Sequence, residues 1–193
     1  INDDLRQLAE YSAMIAVRVA ADEIRLVYAQ IAGDGPAMAD GNPLFHASRG
    51  NKGTGAALAV ESIALAVESM REMKSDDGIP LNIGPRFLIV GPSQELAARR
   101  FLAQITATRS ADVNPWAGSM ELIVDANVAG NRWFIFADPA LYPTVAFGYL
   151  AGQSGPSIAS EIDFDTRALR VRVGLDFGTG PVDWRGAYLN PGA

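Results

Sequence analysis

The sequence predicts an α+β fold in which the helices precede most of the strands. In the first half of the chain, apolar residues recur at spacings of three, four and seven, the period of an amphipathic helix. In the second half, apolar and polar residues alternate, as in residues 168–174, which is the period of a half-exposed strand. Helices and strands that are segregated along the chain favour an α+β class over a repeated βαβ arrangement.

The first element is a long helix predicted over residues 2–32. Asn2 can cap its start, and no Pro or Gly interrupts the pattern before Gly33, which suits the left-handed residue just beyond a helix end. At 1.5 Å per residue the helix would be about 45 Å long, well above the average. Residues 11–21 are almost entirely apolar, with Arg18 as the one charge. We therefore expect the rest of the chain, or a neighbouring subunit, to cover this helix.

Two shorter helices are predicted further along, over residues 56–74 and about 94–105. The first has an apolar face at three- and four-residue spacing, and the second follows Ser93, a good capping residue. The chain between the long helix and residue 56 is rich in Gly and Pro. It is expected to be a loop with one short strand at Leu44 and Phe45.

Short apolar or alternating runs between breakers predict the strands. They cover residues 86–90, 120–124, 132–137, 144–150 and 168–174, with a closing strand within 178–193. The third run is expected to have two apolar faces, one with Trp133, Ile135 and Ala137 and the other with Phe134 and Phe136. The link at 125–131 ends in Gly-Asn, which predicts a hairpin between the second and third runs.

The composition excludes several classes of function. The net charge of the 193 residues is −6, which disfavours a general nucleic-acid coat, because such a protein needs surplus Lys and Arg to neutralise phosphates. The chain has no Cys, so disulfides, Cys-ligated metals and thiol nucleophiles are ruled out. No apolar run approaches the roughly 20 residues that a membrane span needs, so no membrane partner is expected.

The sequence contains one candidate catalytic base and two look-alike motifs. His46 is the single histidine, with Ser48 and Asp40 nearby, but no Gly-x-Ser-x-Gly turn accompanies it, so a structural role is favoured. Residues 50–55 (GNKGTG) have neither the dinucleotide nor the Walker spacing and are interpreted as a flexible loop before a helix. Residues 176–178 (DFG) match the kinase magnesium tripeptide by letters only and are interpreted as a strand end followed by a turn. No cofactor or metal is predicted.

Seven phrases, most of them in turns, distinguish the chain. They are DGNPLF (40–45), GN (50–51), DGIPLNI (77–83), PRFLIV (85–90), WFIFADP (133–139), YLAGQSGP (149–156) and DWRGAYLNPG (183–192). In this order and at these separations they resemble the major capsid (head) proteins of tailed bacteriophages. The nearest branch is the Mu-like head subunit and its relatives that are fused to a prohead protease. Residues 1–5 resemble the start of the long spine helix of that family.

This resemblance implies the Hong Kong 97-type capsid fold. Residues 1–34 with 166–193 would form the peripheral domain around the spine helix, and residues 35–165 the axial domain near the capsomer centre. In this family an N-terminal arm and an extended loop precede the spine helix, and the sequence lacks both, as well as any protease domain. Since the chain also begins on Ile1 directly before the helix cap, we expect that an upstream part has been removed.

The implied function is structural and not enzymatic. Copies of the chain would assemble as pentamers and hexamers into the icosahedral head of a tailed phage or prophage, a shell that encloses DNA and touches it only non-specifically. A scaffold or protease and a portal are further implied partners. The implied location is the virion, after assembly in the bacterial cytoplasm.

Five arginines are candidates for contacts between subunits: Arg18, Arg99, Arg100, Arg170 and Arg172. The last four are expected on exposed faces, and plain solvated arginines are the competing interpretation. Two other functions also stay open. One is a hydrolase that uses His46 with a carboxylate, which would need His46 in a concave pocket. The other is a monomeric binding module with a single ligand groove.

Overall fold

The computed structural model describes residues 7–103, 114–153, 155–162, 164–165 and 169–193. Within these ranges the helices are α1 (Gln7–Ala29), α2 (Val60–Glu72) and α3 (Glu95–Leu102), with 3-10 turns at Ala47–Arg49 and Pro92–Gln94. The strands are β1 (Phe87–Val90), β2 (Glu121–Val124), β3 (Trp133–Phe136), β4 (Val145–Tyr149), β5 (Ser157–Ile162), β6 (Leu169–Gly174), β7 (Phe177–Pro181) and β8 (Ala187–Asn190). The predicted mixed α+β class is confirmed.

The chain divides into two compact units. Unit 1 contains the described residues up to 29 together with 147–180, and unit 2 contains 30–146 and 181–193. These bounds differ from the expected grouping of 1–34 with 166–193. Strand pairing explains the difference, because β4 pairs with β7 and β5 with β6, whereas β8 joins the sheet of unit 2.

Unit 2 is built on a four-stranded sheet with the strand order β2-β1-β3-β8. β1 is parallel to β2 and antiparallel to β3, and β3 is antiparallel to β8. The predicted hairpin at 125–131 is therefore wrong, since β1 lies between the two strands that it would have joined. β1 consists of four apolar residues, of which Leu88 and Val90 are buried on one face and Phe87 and Ile89 are half-buried on the other.

The core of unit 2 lies between α2 and one face of this sheet. The apolar stripe of α2, formed by Ile63, Ala66, Val67 and Met70, is buried in one cluster with residues of three strands. The strand residues of this cluster include Leu88, Val90, Trp133, Ile135 and Tyr188. The two predicted faces of β3 are confirmed. Ala137 belongs to the same cluster as Trp133, while Phe134 contacts Phe45 and Phe136 at ring-centroid distances of 5.6 and 6.2 Å.

The expected short strand at Leu44 and Phe45 is absent from the described structure. Both side chains are fully buried, but their backbone N–H groups donate to the carbonyls of Pro36 and Asp34 within a turn-rich segment. The neighbouring Gly41 and Pro43 favour such turns over a ladder. Burial of an apolar pair therefore did not require a strand here.

The helices differ from their predicted bounds at the ends. α1 ends at Ala29, three residues early, and Gly33 has a φ of +60° in the turn that follows. α2 begins at Val60 because the N–H of Ala56 donates to the side chain of Asn190 and the preceding residues run extended. The third helix was predicted to end at about residue 105, but α3 ends at Leu102 because Ala103 is already extended, with φ −64° and ψ 132°. The predicted cap at Asn2 lies outside the described residues.

Unit 1 combines α1 with two ribbons, β4–β7 and β5–β6. β5 and β6 are antiparallel, and the backbone hydrogen bonds from Leu150 to Asp176 and from Val182 to Thr144 give β4 and β7 the same arrangement. β5 was not predicted, because its sequence SIASEI carries only a weak alternation. The interpretation of residues 176–178 as a strand end followed by a turn is wrong, since Phe177 begins β7. Gly178 and Gly180 within β7 hide the strand signal, as glycine has low strand propensity.

Candidate functional site

A network of charged side chains surrounds Trp184 in unit 2. The guanidinium carbons of Arg49 and Arg185 lie 5.5 and 4.8 Å from the centroid of its indole ring, within the range of a cation–π interaction. Arg49 also forms an ion pair of 2.5 Å with Asp40, and Arg185 pairs with Asp76. The network borders a cavity of about 340 Å³.

The contacts of Arg49 indicate that this network stabilises the fold and does not serve catalysis. Its side chain is only 6% exposed and donates to the backbone carbonyls of Pro43 and Leu44 at 2.6 and 3.2 Å. The hydrogen bond from Arg49 holds the pKa of Asp40 at about 2, below its ordinary value of 3.8. A carboxylate with so low a pKa is poorly suited to general acid–base chemistry near neutral pH. The arrangement instead fastens the segment around residue 40 to the segment around residue 184.

His46 caps the 3-10 turn at Ala47–Arg49. Its Nδ1 accepts from the N–H of Ser48 at 3.3 Å and lies 2.7 Å from the Ser48 hydroxyl oxygen. Its own N–H donates to the side-chain oxygen of the fully buried Asn51 at 2.9 Å. Asp40, the carboxylate considered as its partner, is bound to Arg49 instead. These contacts favour the structural role of His46, since a triad needs a carboxylate that orients the base.

The glycine-rich segment at residues 50–55 lies along the outer edge of β8. The N–H of Gly53 donates to the carbonyl of Leu189, and the N–H of Leu189 donates to the carbonyl of Asn51. A Cβ at Gly53 would lie 2.6 to 2.7 Å from the side chains of Asn190 and Tyr188, so the segment needs a glycine at this point. It is anchored to the sheet, which corrects its interpretation as a flexible loop.

Three of the candidate arginines lie on exposed helix faces. Arg18 of α1 is 3.5 Å from Asp22, and Arg99 of α3 donates to Glu95 at 2.8 Å, both at a spacing of four residues. Arg100 follows on α3 and is also exposed. Pairs of this kind on a helix surface contribute only a few tenths of a kcal/mol. Their positions are compatible with contacts to another subunit and with simple solvation.

The other two candidate arginines, Arg170 and Arg172, are exposed on β6. In the register of the β5–β6 ribbon, Arg170 is opposite Glu161 and Arg172 is opposite Ala159. With these neighbours they line an open recess of about 600 Å³. This ribbon and Arg18 belong to unit 1, whereas Arg99 and Arg100 on α3 belong to unit 2.

Unit 1 contains a second recess, which we call the aromatic recess. It is lined by Glu23, Ile24, Val27, Tyr28, Phe147, Tyr149 and Phe177 and has a volume of about 210 Å³. Phe177 of β7 packs against Phe147 and Tyr149 of β4 at centroid distances of 5.8 and 5.4 Å. The Tyr149 hydroxyl donates to Glu23 at 3.1 Å. Burial, and then this bond to a carboxylate, raises the pKa of Tyr149 above its ordinary value of 10.0.

Comparison with known families decides the identity of the chain. The sequence model of a family described as phage capsid protein matches residues 1–190. The chain belongs to the phage capsid protein family. It is therefore a structural subunit of a phage head. No curated protein matches the sequence.

Solved structures with the same fold come from phages and a phage-related protein. The capsid of Ralstonia phage GP4 is 15% identical, with a TM-score of 0.55 over 93% of this chain and 63% of its own. A chain of Mycobacterium phage Che8 is 14% identical, with a TM-score of 0.51 over 99% and 67%. A phage-related protein of Bordetella bronchiseptica is 13% identical, with a TM-score of 0.51 over 98% and 66%. This capsid chain thus spans about two thirds of the length of these structures.

Two features of this capsid protein were missed by reasoning from the sequence. The first is the network around Trp184, although the phrase DWRGAYLNPG already placed that residue between Asp183 and Arg185. The second is the aromatic recess, for which the alternation of Phe147 and Tyr149 was a signal. Phe177 was read as part of a turn, so its place beside them could not be foreseen.

The described part of the capsid chain holds no group of three potential metal ligands among its His, Asp and Glu residues. Across the same ranges, every helix is too short or too polar to cross a membrane.

Proposed function

We propose that this chain is the shell-forming part of the major capsid protein of a tailed phage or prophage, with a Hong Kong 97-type fold of the Mu-like branch. Its copies assemble as pentamers and hexamers into an icosahedral head that encloses DNA. The observation that carries the proposal is the family match over residues 1–190. In this proposal unit 1 corresponds to the peripheral domain, with α1 as the spine helix, and unit 2 to the axial domain.

The surface of α1 supports assembly with other copies. Met14 and Val17 are 67% and 72% exposed, and Ile24 and Leu26 add further exposed apolar surface on the same helix. Exposed apolar side chains grouped on one element mark interaction surfaces. A neighbouring subunit supplies the cover that this helix was expected to need.

Charge supports a non-specific relation to the enclosed DNA. The net charge of −6 gives no surplus of cations to neutralise phosphates, so a lining of this protein would let packaged DNA move. The shell assembles in the bacterial cytoplasm and meets a scaffold or protease and a portal there. These partners, like the location in the virion, follow from the proposed function.

The five candidate arginines belong to this proposal as subunit contacts. Charge reversal at Arg99 and Arg100, and separately at Arg170 and Arg172, is expected to reduce assembly of the protein into shells. Arg71→Glu is a matched control, because Arg71 is exposed and, among the residues that the structure describes, donates to the neutral side chain of Asn82. Assembly of both reversed variants at the level of the control would assign these arginines to solvent.

Negative-stain electron microscopy tests the function itself. The 193-residue chain is compared with a longer chain that includes whatever upstream residues its gene encodes. Shells, rings or tubes from the longer chain support the proposal. Small discrete particles from both chains under every salt concentration and pH would contradict it, and would reopen the binding module and the hydrolase based on His46.

A further inference from the structure

The aromatic recess of unit 1 is an unfilled apolar site. Its rim residues Phe147 and Ile24 are 63% and 48% exposed, although both belong to packed elements. The one carboxylate in its lining, Glu23, accepts a hydrogen bond from Tyr149, so the remaining surface is apolar or aromatic. Pockets for drug-sized ligands are usually about 300–1,000 Å³. At about 210 Å³ the recess is on the scale of one large side chain.

The same unit carries a large apolar side chain that is almost fully exposed to solvent. Phe164 follows β5 by two residues and is 96% exposed, the highest value among the large apolar side chains that the structure describes. An aromatic side chain buries about 150–250 Å² when it enters a packed site. Full exposure of such a side chain at the end of a ribbon is unfavourable in water and is relieved by contact with a partner.

The ribbon keeps Phe164 away from the recess of its own chain. β5 and β6 pair over six residues each, from Ser157 opposite Gly174 to Ile162 opposite Leu169. At about 3.3 Å per residue, this ladder holds the far end of the ribbon about 20 Å from its base. The base leads directly into β7, which carries Phe177 of the recess. The side chain of Phe164 is therefore exposed beyond the paired part of the ribbon and is accessible to another molecule.

We propose that Phe164 of one copy inserts into the aromatic recess of a second copy. The proposal rests on the proposed function, since a shell supplies many copies at high local concentration. Phe164 and the aromatic recess lie on different parts of the same unit, so the contact is heterologous. Each copy inserts its Phe164 into one neighbour and accepts the Phe164 of another neighbour in its own recess. Such contacts propagate from copy to copy and close into rings or shells when the rotation between neighbours allows it.

Paired cysteine variants test the contact directly, because the 193 residues of the sequence contain no Cys to compete. Phe164→Cys and Ile24→Cys are made in separate copies of the longer protein and mixed before assembly. A disulfide requires Cα atoms within about 7 Å, so it forms only when the ribbon end reaches the recess. Phe147→Cys replaces Ile24→Cys as a second rim position. Leu141→Cys, at a 73% exposed position in unit 2, replaces Phe164→Cys as the control.

The expected result is a disulfide-linked heterodimer at least tenfold more abundant for Phe164→Cys than for Leu141→Cys, on a non-reducing gel of assembled particles. Cross-linking at the level of the control with both rim positions, in protein that assembles, would overturn this contact and leave the proposed function intact. Failure of the unmodified longer protein to assemble would instead overturn the proposed function, and this contact with it.

A substitution of Phe164 gives an independent measure. Phe164→Ser is expected to raise the protein concentration needed for assembly about tenfold or more, whereas Phe164→Tyr, which retains the ring, is expected to change it less than threefold. Because Phe164 is exposed, both variants should retain the circular dichroism spectrum and melting temperature of the unassembled protein. Unchanged assembly of Phe164→Ser would contradict the proposal.

Discussion

The hydroxyl of Tyr149 donates a hydrogen bond of 3.1 Å to the carboxylate of Glu23, which lies 126 positions earlier in the chain. The bond joins β4 to α1 inside unit 1, at the edge of the aromatic recess. The ring of Tyr149 also meets Phe177 at a centroid distance of 5.4 Å. One side chain therefore ties a helix and both strands of a ribbon together.

Removing this hydroxyl should lower the stability of unit 1 without creating a cavity in it. In Tyr149→Phe the aromatic contacts with Phe177 remain, and the bond to Glu23 is lost. The expected result is a decrease in Tm of about 2–4 °C for the unassembled chain, measured by circular dichroism. Glu23→Gln is the matched variant, because its amide oxygen can still accept the hydrogen bond from Tyr149. Its Tm should lie between those of the native protein and Tyr149→Phe. A Tm of Tyr149→Phe equal to that of the native protein would contradict the contribution of the bond.

The same pair predicts a loss of stability in alkali. Burial and the carboxylate of Glu23 raise the pKa of Tyr149 in the folded chain above 10.0. Its contribution is therefore complete below pH 10 and is lost as the pH rises through the folded pKa, where a phenolate would face a carboxylate. Burial also raises the pKa of Tyr188 in unit 2, so the native protein is compared with Tyr149→Phe. The stability difference between them should shrink above pH 10, and a constant difference would be inconsistent with this assignment.

The pair of Asp40 and Arg49 predicts the opposite dependence in acid. The pKa of Asp40 is held at about 2 in the folded chain, against an ordinary value of 3.8. Its contribution is present above pH 3.8 and is lost as the pH falls through about 2. Urea unfolding from pH 6 to pH 2 should show a stability difference between the native chain and Asp40→Asn that decreases below pH 4. Asp77→Asn, which also removes one carboxylate but at an exposed turn, is the control variant.

Local patterns predicted the elements of this fold better than their partners. Phe87–Val90 and the two faces around Trp133 follow from apolar runs and alternation, which a strand shows within a few residues. The pairing of β1 between β2 and β3 depends on contacts between distant segments, and the Gly-Asn of the connecting link suggested a hairpin instead. β7 was not recognised in the sequence because Gly178 and Gly180 weaken its strand pattern, and because its partner β4 lies about 30 residues earlier in the chain. The aromatic recess depends on that pairing, so it could not be derived before β7 was known.

The candidate site residues show the same limit. Exposure of Arg99, Arg100, Arg170 and Arg172 follows from their positions opposite the apolar residues of a helix and a strand. Contact with a second copy depends on a surface that the single chain does not contain. Their role at subunit interfaces therefore stays a prediction.

Asn51 is expected to be one of the most sensitive polar residues in unit 2. Its side chain is fully buried, accepts from the N–H of His46 at 2.9 Å and donates to the carbonyls of Leu44 and Trp184 at 2.8 and 3.3 Å. Asn51→Ala leaves these groups without partners away from water, which should cost about 2–4 kcal/mol of unfolding free energy in urea.

Two variants provide the comparison for Asn51. Asn127→Ala removes an exposed asparagine that makes local bonds to Asp125, and it should cost less than about 1 kcal/mol. His46→Ala removes the cap of a short 3-10 turn and should cost about 0.5–1 kcal/mol while assembly is retained. Equal costs for Asn51→Ala and Asn127→Ala would show that burial of Asn51 is not what makes its bonds important.

Gly186 is predicted to be irreplaceable for reasons of space. A Cβ at this position would overlap the backbone carbonyl of Tyr142 and lie 2.7 Å from the hydroxyl oxygen of Thr144. A carbonyl cannot rotate away as the end of a flexible side chain can, so the backbone itself must shift. Gly186→Ala should therefore lower the unfolding free energy by about 1–3 kcal/mol. Gly84→Ala is the matched control, since no atom lies within 4 Å of its added Cβ. Its effect on the unfolding free energy should lie between zero and a gain of about 1 kcal/mol.

Gly186→Ala should also change the surroundings of Trp184, because Gly186 lies between Trp184 and β8 in the chain. The contact between Arg49 and Trp184 should loosen, and the tryptophan fluorescence should shift to the red. Unchanged stability and fluorescence would show that the loop before β8 relaxes more easily than the packing around Tyr142 suggests.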